Sequence, residues 1–188
     1  MKPYVLITGA SSGIGYEFAK RFVIEGYPVI LVSSNDEKLS RVCTELKDYI
    51  LDCESIANNS KLNNKVNNSK KANSKKASYP NVNKQTVCNK TDSSSEKIIK
   101  IVQDLSKSGG AEELYQKVQA LHIEVGILIN NAGIGYAGEF IRSERKQQEK
   151  IMMLNMNNLV LLTHCFVKTM VSNKSGKILN VASNGAFQ

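Results

Sequence analysis

Two rhythms of apolar residues alternate along the chain. Short runs rich in β-branched residues, bounded by turn formers, occur at 4–8 (YVLIT), 28–33 (PVILVS), 97–102 (KIIKIV), 125–131 (VGILINN) and 176–183 (GKILNVAS), and each predicts a strand. Between them, amphipathic stretches at 13–26, 35–51, 111–124 and 143–172 predict helices. Parallel neighbours need a crossover connection, so strict alternation of strand and helix predicts a parallel sheet covered on both faces. The expected fold is therefore α/β, a doubly wound parallel sheet in three α/β/α layers. At 188 residues with 41% apolar side chains, the chain suffices for one domain with a real core.

One stretch breaks the rhythm. From 58 to 97 about two thirds of the residues are Asn, Ser or Lys, too little apolar surface to offset the entropy of ordering them. The expectation is a disordered insertion within the domain, between the second helix and the third strand. Its composition also relocates the charge. The net charge is +8, but residues 58–97 hold nine Lys against Asp92 and Glu96, so only about +1 is left for everything else. The basicity belongs to this segment and not to a folded face, and no nucleic-acid partner is expected.

Cys43, Cys53, Cys88 and Cys165 show no C-x-x-C spacing and read as plain thiols of a reducing compartment, with no metal site expected. The opening apolar run is too short for a signal peptide, whose apolar region needs roughly 7–15 residues. No run reaches the roughly 18 apolar residues of a membrane span. A cytoplasmic protein without a membrane span is the expectation.

Candidate chemistry begins directly after the first strand, in TGASSGIGYEFAKRF, where Gly9, Gly13 and Gly15 form G-x-x-x-G-x-G. A loop here has to turn sharply, bring backbone N–H groups to a pyrophosphate and pack the helix on the strand, and glycine serves all three needs. The helix that follows points its positive end at the phosphates. The segment resembles the cofactor loop of the short-chain dehydrogenase/reductase family, and further resemblances follow in order. Asp104 and Leu105 resemble the family's adenine-contacting acidic dipeptide, and NNAG at 130–133 resembles the stretch that supports the sheet and borders the ribose. Asn155, in LNMNNLVLLT, is similar to the family's helix Asn. Ser183, in ILNVAS, is similar to its catalytic Ser.

The resemblance implies a Rossmann-type domain and an NAD(P)-dependent oxidoreductase moving a hydride between nicotinamide and a small-molecule carbonyl or alcohol. It lies closest in style to the 3-oxoacyl and steroid-type reductases, whose substrates are lipophilic, and it implies a homo-oligomer for a complete protein. The implied cofactor contacts are Thr8, Gly9, Ser11, Ser12, Gly13, Ile14, Gly15, Ser33, Ser34, Asp104, Leu105, Asn131, Ala132 and Gly133. Ser183 and Asn155 are the implied catalytic residues. At the end of the second strand Ser33 stands where an acid would accept the ribose hydroxyls and Ser34 where an Arg would meet a 2′-phosphate. Without that acid, and with Ser33, Ser34, Asn35 and Lys38 as donors, NADP is favoured over NAD. Ser34-x-x-Glu37 also reads as a capping box for the next helix.

The family's Ser bonds the substrate oxygen, a Tyr gives the proton and a Lys one helical turn later lowers that tyrosine's pKa. The sole Tyr-x-x-x-Lys here is Tyr16 to Lys20, on the helix that opens at the pyrophosphate, and it reads as a decoy. The sequence ends at Gln188, shortly after Ser183. The expectation is thus an amino-terminal part of a reductase, truncated after the fifth strand, without the proton donor and inactive as it stands. A non-catalytic nucleotide-binding module or pseudoenzyme fragment is the alternative. The stripe Ile151, Met152, Leu154, Leu159, Leu161 and Leu162 should be partly exposed.

Overall fold

The computed structural model describes residues 2–66 and 98–183, with 53–66 as helix backbone alone. Five strands, β1 (Tyr4–Thr8), β2 (Val29–Ser33), β3 (Ile98–Val102), β4 (Val125–Asn130) and β5 (Lys177–Asn180), form one parallel sheet in the order β3-β2-β1-β4-β5. The chain winds outward from β1 to β3, then crosses back to lay β4 on the other side of β1. This reversal opens a crevice at the carboxyl ends of β1 and β4, the place where doubly wound sheets take ligands.

Successive side chains of a strand face opposite ways, so each central strand feeds two cores. Val5, Ile7, Val29, Leu31 and Ile129 pack with Ala19 and Val23 of α1 (Gly13–Ile24) and with Leu39, Val42 and Leu46 of α2 (Asp36–Val66). Leu6, Ile30, Val32 and Leu128 pack on the other face with Leu114 and Val118 of α3 (Gly110–Gln119) and with Leu162, Phe166 and Met170 of α5 (Asn158–Ser172). Tyr115 and Phe166 meet edge to face at 5.2 Å between α3 and α5. The double burial explains why β1 and β2 are continuous apolar runs. Among the described residues no helix is long and apolar enough to cross a membrane.

Three local features differ from the sequence expectation. The second helix does not stop near residue 51 but runs to Val66, into the first residues of the 58–97 segment. No Gly or Pro interrupts 36–66, and extending an existing helix is far easier than starting one. The rest of that segment, 67–97, lies outside the described residues. Second, Asn35 rather than Ser34 caps α2: Lys38 N donates to Asn35 Oδ1 at 2.8 Å, a three-residue reach from the cap. Third, the long helix expected at 143–172 is divided into α4 (Arg145–Met152), a π-helical segment (Met153–Asn157) and α5.

The π segment sets the rotation of α5 relative to α4. Of the predicted stripe only Met152 is exposed, Ile151, Leu154, Leu159 and Leu161 are half-buried, Leu162 is buried, and the exposed line runs through Met152, Met156 and Val160. Asn158, 1% exposed, turns inward. Its Nδ2 donates to the carbonyls of Leu105 and Lys107, both at 2.7 Å, and its Oδ1 accepts from Ala111 N at 3.2 Å. One side chain thus satisfies three backbone groups around the loop between β3 and α3.

Replacing Asn158 by Leu keeps the volume and removes every partner. Each buried group left unpaired costs roughly 1–3 kcal/mol. Urea unfolding of the Asn158→Leu variant should show a loss of at least about 2 kcal/mol, and a smaller loss would mean that water reaches the loop.

Candidate nucleotide-binding site

The loops that follow β1, β2, β3, β4 and β5 carry, in turn, residues 9–12, 34–35, 103–109, 131–139 and 181–183. Almost every residue predicted from the sequence therefore lies at the carboxyl edge of the sheet. Parallel strands ensure this, because they all end on one side.

Where α1 opens, Ser12 is extended at φ −170°, its side chain makes no capping hydrogen bond, and no acidic residue occupies the first turn. The amides of Gly13, Ile14 and Gly15 thus start the helix with its positive end uncovered. Gly13 holds φ +56°, and a Cβ built there would meet nothing within 4 Å, so the backbone borders open space. Gly15 is the opposite case. A Cβ on it would strike the Gly9 carbonyl oxygen and come within 2.5 Å of Asn131 Nδ2. The loop, the helix start and the end of β4 touch at this point, and only glycine allows it. Ile14, 60% exposed, flanks the helix opening.

Thr8 and Asn131 link the β1 loop to β4. Thr8 Oγ1 donates to Ile129 O at 3.3 Å and accepts from Asn131 N at 2.9 Å and Ala132 N at 3.0 Å. Asn131 Nδ2 donates to the carbonyls of Thr8 at 3.0 Å and Gly9 at 3.3 Å. Both side chains hold protein rather than face the crevice. Asn130, 3% exposed, continues the seam by donating to Thr163 Oγ1 and Asn180 Oδ1, each at 2.9 Å.

Ser33 Oγ donates to Ser11 Oγ at 2.9 Å and accepts from Asn35 N at 3.2 Å. It ties the end of β2 to the glycine loop, while Ser34 is exposed. Across the crevice Asp104 Oδ1 accepts from Ser106 N at 2.9 Å and Ser106 Oγ at 2.7 Å, bonds that hold its carboxyl below the usual range. Leu105 is buried beside it.

Gly133 is exposed. The next residue, Ile134, is gripped by Asn155, whose Oδ1 accepts from Ile134 N at 3.1 Å and whose Nδ2 donates to Ile134 O at 2.8 Å. Asn155 lies in the π segment, so the irregular turn delivers this amide to the loop after β4. Ser183 is exposed, just past β5 and next to that loop's strand. Tyr16 and Lys20 are elsewhere. They turn toward α2, where burial and then Glu45 push the Tyr16 hydroxyl above its ordinary pKa, and Lys20 Nζ lies 5.3 Å from the Tyr49 ring centre. Raising that pKa is the reverse of what a proton donor needs.

A cleft of about 260 Å³ between the glycine loop and α2 is lined by Ser11, Ser12, Tyr16, Lys38, Arg41, Val42 and Glu45. Arg41 was not among the sequence candidates. Its signal was the three-residue step from Lys38, which puts two cations on one helix face.

A glycine loop at the switch point, an uncapped helix start and an ordered series of strand-end residues coincide with a match to the family profile described as short chain dehydrogenase, over residues 3–76 and 71–188. The chain belongs to that family. Among curated relatives it is 27% identical to a very-long-chain 3-oxoacyl-CoA reductase of Coccidioides immitis, covering 98% of this chain and 41% of that protein. It is likewise 27% identical to dehydrogenase/reductase SDR family member 7B of Xenopus laevis, covering 95% of this chain and 44% of that one. The chain thus spans less than half the length of these relatives. Among solved structures, a bulky-bulky ketone specific alcohol dehydrogenase from Comamonas testosteroni superposes with a TM-score of 0.69 at 23% identity, over 98% of this chain and 56% of that one. A short-chain dehydrogenase from Sphingobium yanoikuyae in complex with NADPH gives 0.69 at 24% identity, over 98% and 55%. These likenesses show the Rossmann-type fold.

Two tests follow for this short-chain dehydrogenase. Gly15→Ala should cost about 1–3 kcal/mol in chemical denaturation through overpacking, whereas an alanine tolerated there would mean the loop is looser than described. Asp104 has a folded pKa below its unfolded value of about 3.9, so its stabilisation is complete above that value and is lost as pH falls through the lower folded one. The stability gap between the parent and Asp104→Asn should stay flat from neutral pH down to about 5 and close below about 4, as read by urea melts across pH.

Proposed function

We propose that this short-chain dehydrogenase binds NADP in preference to NAD and belongs to a protein that moves a hydride between the nicotinamide and a lipophilic carbonyl or alcohol. The observation that carries the reading is the uncapped start of α1 beside the open space at Gly13, at the switch point of the sheet. It is a cradle for a pyrophosphate, whose charge the helix start favours. Gly13, Ile14, Gly15 and Ser12 would hold the pyrophosphate, Asp104 and Leu105 would border the adenine, and Ala132 and Gly133 the ribose. Relatives named as reductases and a structural neighbour in complex with NADPH support the cofactor.

A bound nicotinamide dinucleotide supplies the hydride. Of this chain's residues, Ser183 would hydrogen-bond the substrate oxygen. Asn155 would act by positioning, since both ends of its amide fix the Ile134 backbone beside Gly133. The loop after β4 exposes Ile134 and Tyr136, the 3-10 turn Phe140–Arg142 that follows it exposes Phe140 and Ile141 at 78% and 90%, and this apolar rim suits a lipophilic substrate. Tyr16 and Lys20 face α2 and do not join Ser183. The isolated chain is therefore proposed to bind cofactor without turnover, as a half-site.

Titrating the chain with NADPH and following cofactor fluorescence should give saturable binding. A parallel assay with NADPH and a bulky aryl ketone should show no oxidation above background. Absence of binding would remove the nucleotide reading, and measurable turnover would show that Tyr16 and Lys20, or another group, do supply the proton.

A further inference from the structure

We propose that Gln103, the residue before Asp104, is a positioning residue: held between Lys117 and Glu113 of α3, it fixes the Asp104 carboxylate to read the 6-amino group of a purine. The inference rests on the nucleotide reading above. Gln103 is 6% exposed just past β3, where an apolar side chain would be the ordinary choice. Its amide is used at both ends. Nε2 donates to Glu113 Oε2 at 2.9 Å, and Oε1 accepts from Lys117 Nζ at 2.7 Å. Lys117 Nζ also donates to Val102 O at 3.1 Å, one residue back along the chain.

These two partners leave the amide one orientation. Turned over, it would set its NH2 group against an ammonium and its carbonyl against a carboxylate. Bonds to charged groups are also the stronger kind. A leucine could fill the same volume but would fix no direction. Gln103 N meanwhile donates to Ser33 O at 2.9 Å, so the residue is tied to β2 by its backbone and to α3 by its side chain.

On the other side of Asp104, Asn158 Nδ2 holds the carbonyls of Leu105 and Lys107, both at 2.7 Å. Asp104 is thus clamped between a contact from α3 and a contact from α5. Its Oδ1 takes both bonds from Ser106, at 2.9 Å and 2.7 Å, which leaves Oδ2 as the acceptor for a ligand. Adenine has one exocyclic donor, the 6-amino group. Hypoxanthine carries a carbonyl at that place and would meet the carboxylate with a second acceptor. Hydrogen bonds weaken steeply when misaligned, so discrimination between the two purines depends on the clamp as well as on Asp104.

The experiment measures the affinities of the full chain for NADPH and for its reduced hypoxanthine analogue, in the parent, Gln103→Leu, Lys117→Met, Lys117→Arg and Asp104→Ala. The parent should favour NADPH by about tenfold, the worth of one hydrogen bond to a charged group. Asp104→Ala should erase that preference. Gln103→Leu and Lys117→Met should remove most of it by weakening NADPH alone, and Lys117→Arg, which keeps a donor for Oε1, should preserve it. An equal loss for both dinucleotides would mark Gln103 as merely structural and overturn the proposal, as would an undiminished preference in Gln103→Leu and Lys117→Met. A parent that binds both dinucleotides equally would overturn it too, with nucleotide binding intact. Failure of the parent to bind either one would instead overturn the proposed function beneath it. Lys117 is exposed, so Lys117→Met tests the network even where Gln103→Leu loses the fold, and circular dichroism of each variant tells a lost contact from a lost fold.

Discussion

Thr8 Oγ1 sits where β1 and β4 part, giving its proton to Ile129 O and taking the amides of Asn131 and Ala132. A hydroxyl has one donor and two acceptor positions, and here all three are used. With Asn131 Nδ2 on the carbonyls of Thr8 and Gly9, this knot fixes the distance between the β1 loop and the β4 loop. The close fit of Gly15 against Gly9 and Asn131 belongs to the same knot. The crevice can be a site only because its two lips are held this way.

Outward from the knot the same logic repeats with other amides. Asn130 joins β4 to β5 and α5, Asn155 grips the loop after β4, and Asn158 closes the loop after β3. Four asparagines do the work of fastening loops to elements, since one amide offers donors and an acceptor to backbone groups that no strand or helix can satisfy. The π segment makes this possible at Asn155 and Asn158. They are three positions apart, yet one reaches outward to Ile134 and the other inward to Leu105 and Lys107.

Legibility differed by the kind of signal. The five strands were readable to within a few residues because burial on both faces leaves β1 and β2 apolar up to the Thr8 and Ser33 at their carboxyl ends. The glycine loop was readable because G-x-x-x-G-x-G falls between a strand and a helix. Arg41 was not, since a lone Arg on an exposed helix face is indistinguishable from any solvated cation until the cleft beside Ser11 is seen. The capping residue was misplaced by one position because Ser34 and Asn35 are both good caps, and the course of the backbone chose between them.

What the sequence determined by itself was local and periodic: which segments are strands, that they alternate with helices, and that a tight glycine turn follows the first. Those properties come from side-chain sterics and from apolar spacing, which act over a few residues. The tertiary structure alone decided which polar groups meet. Thr8 lies 123 residues from Asn131, Asn158 lies 53 from Leu105, and Lys38 and Arg41 face Ser11 only after α2 folds back over the sheet. Hydrogen-bond partners at such separations are set by sheet order and helix rotation, and a one-residue change such as the π turn redirects them without a trace in the hydrophobic pattern.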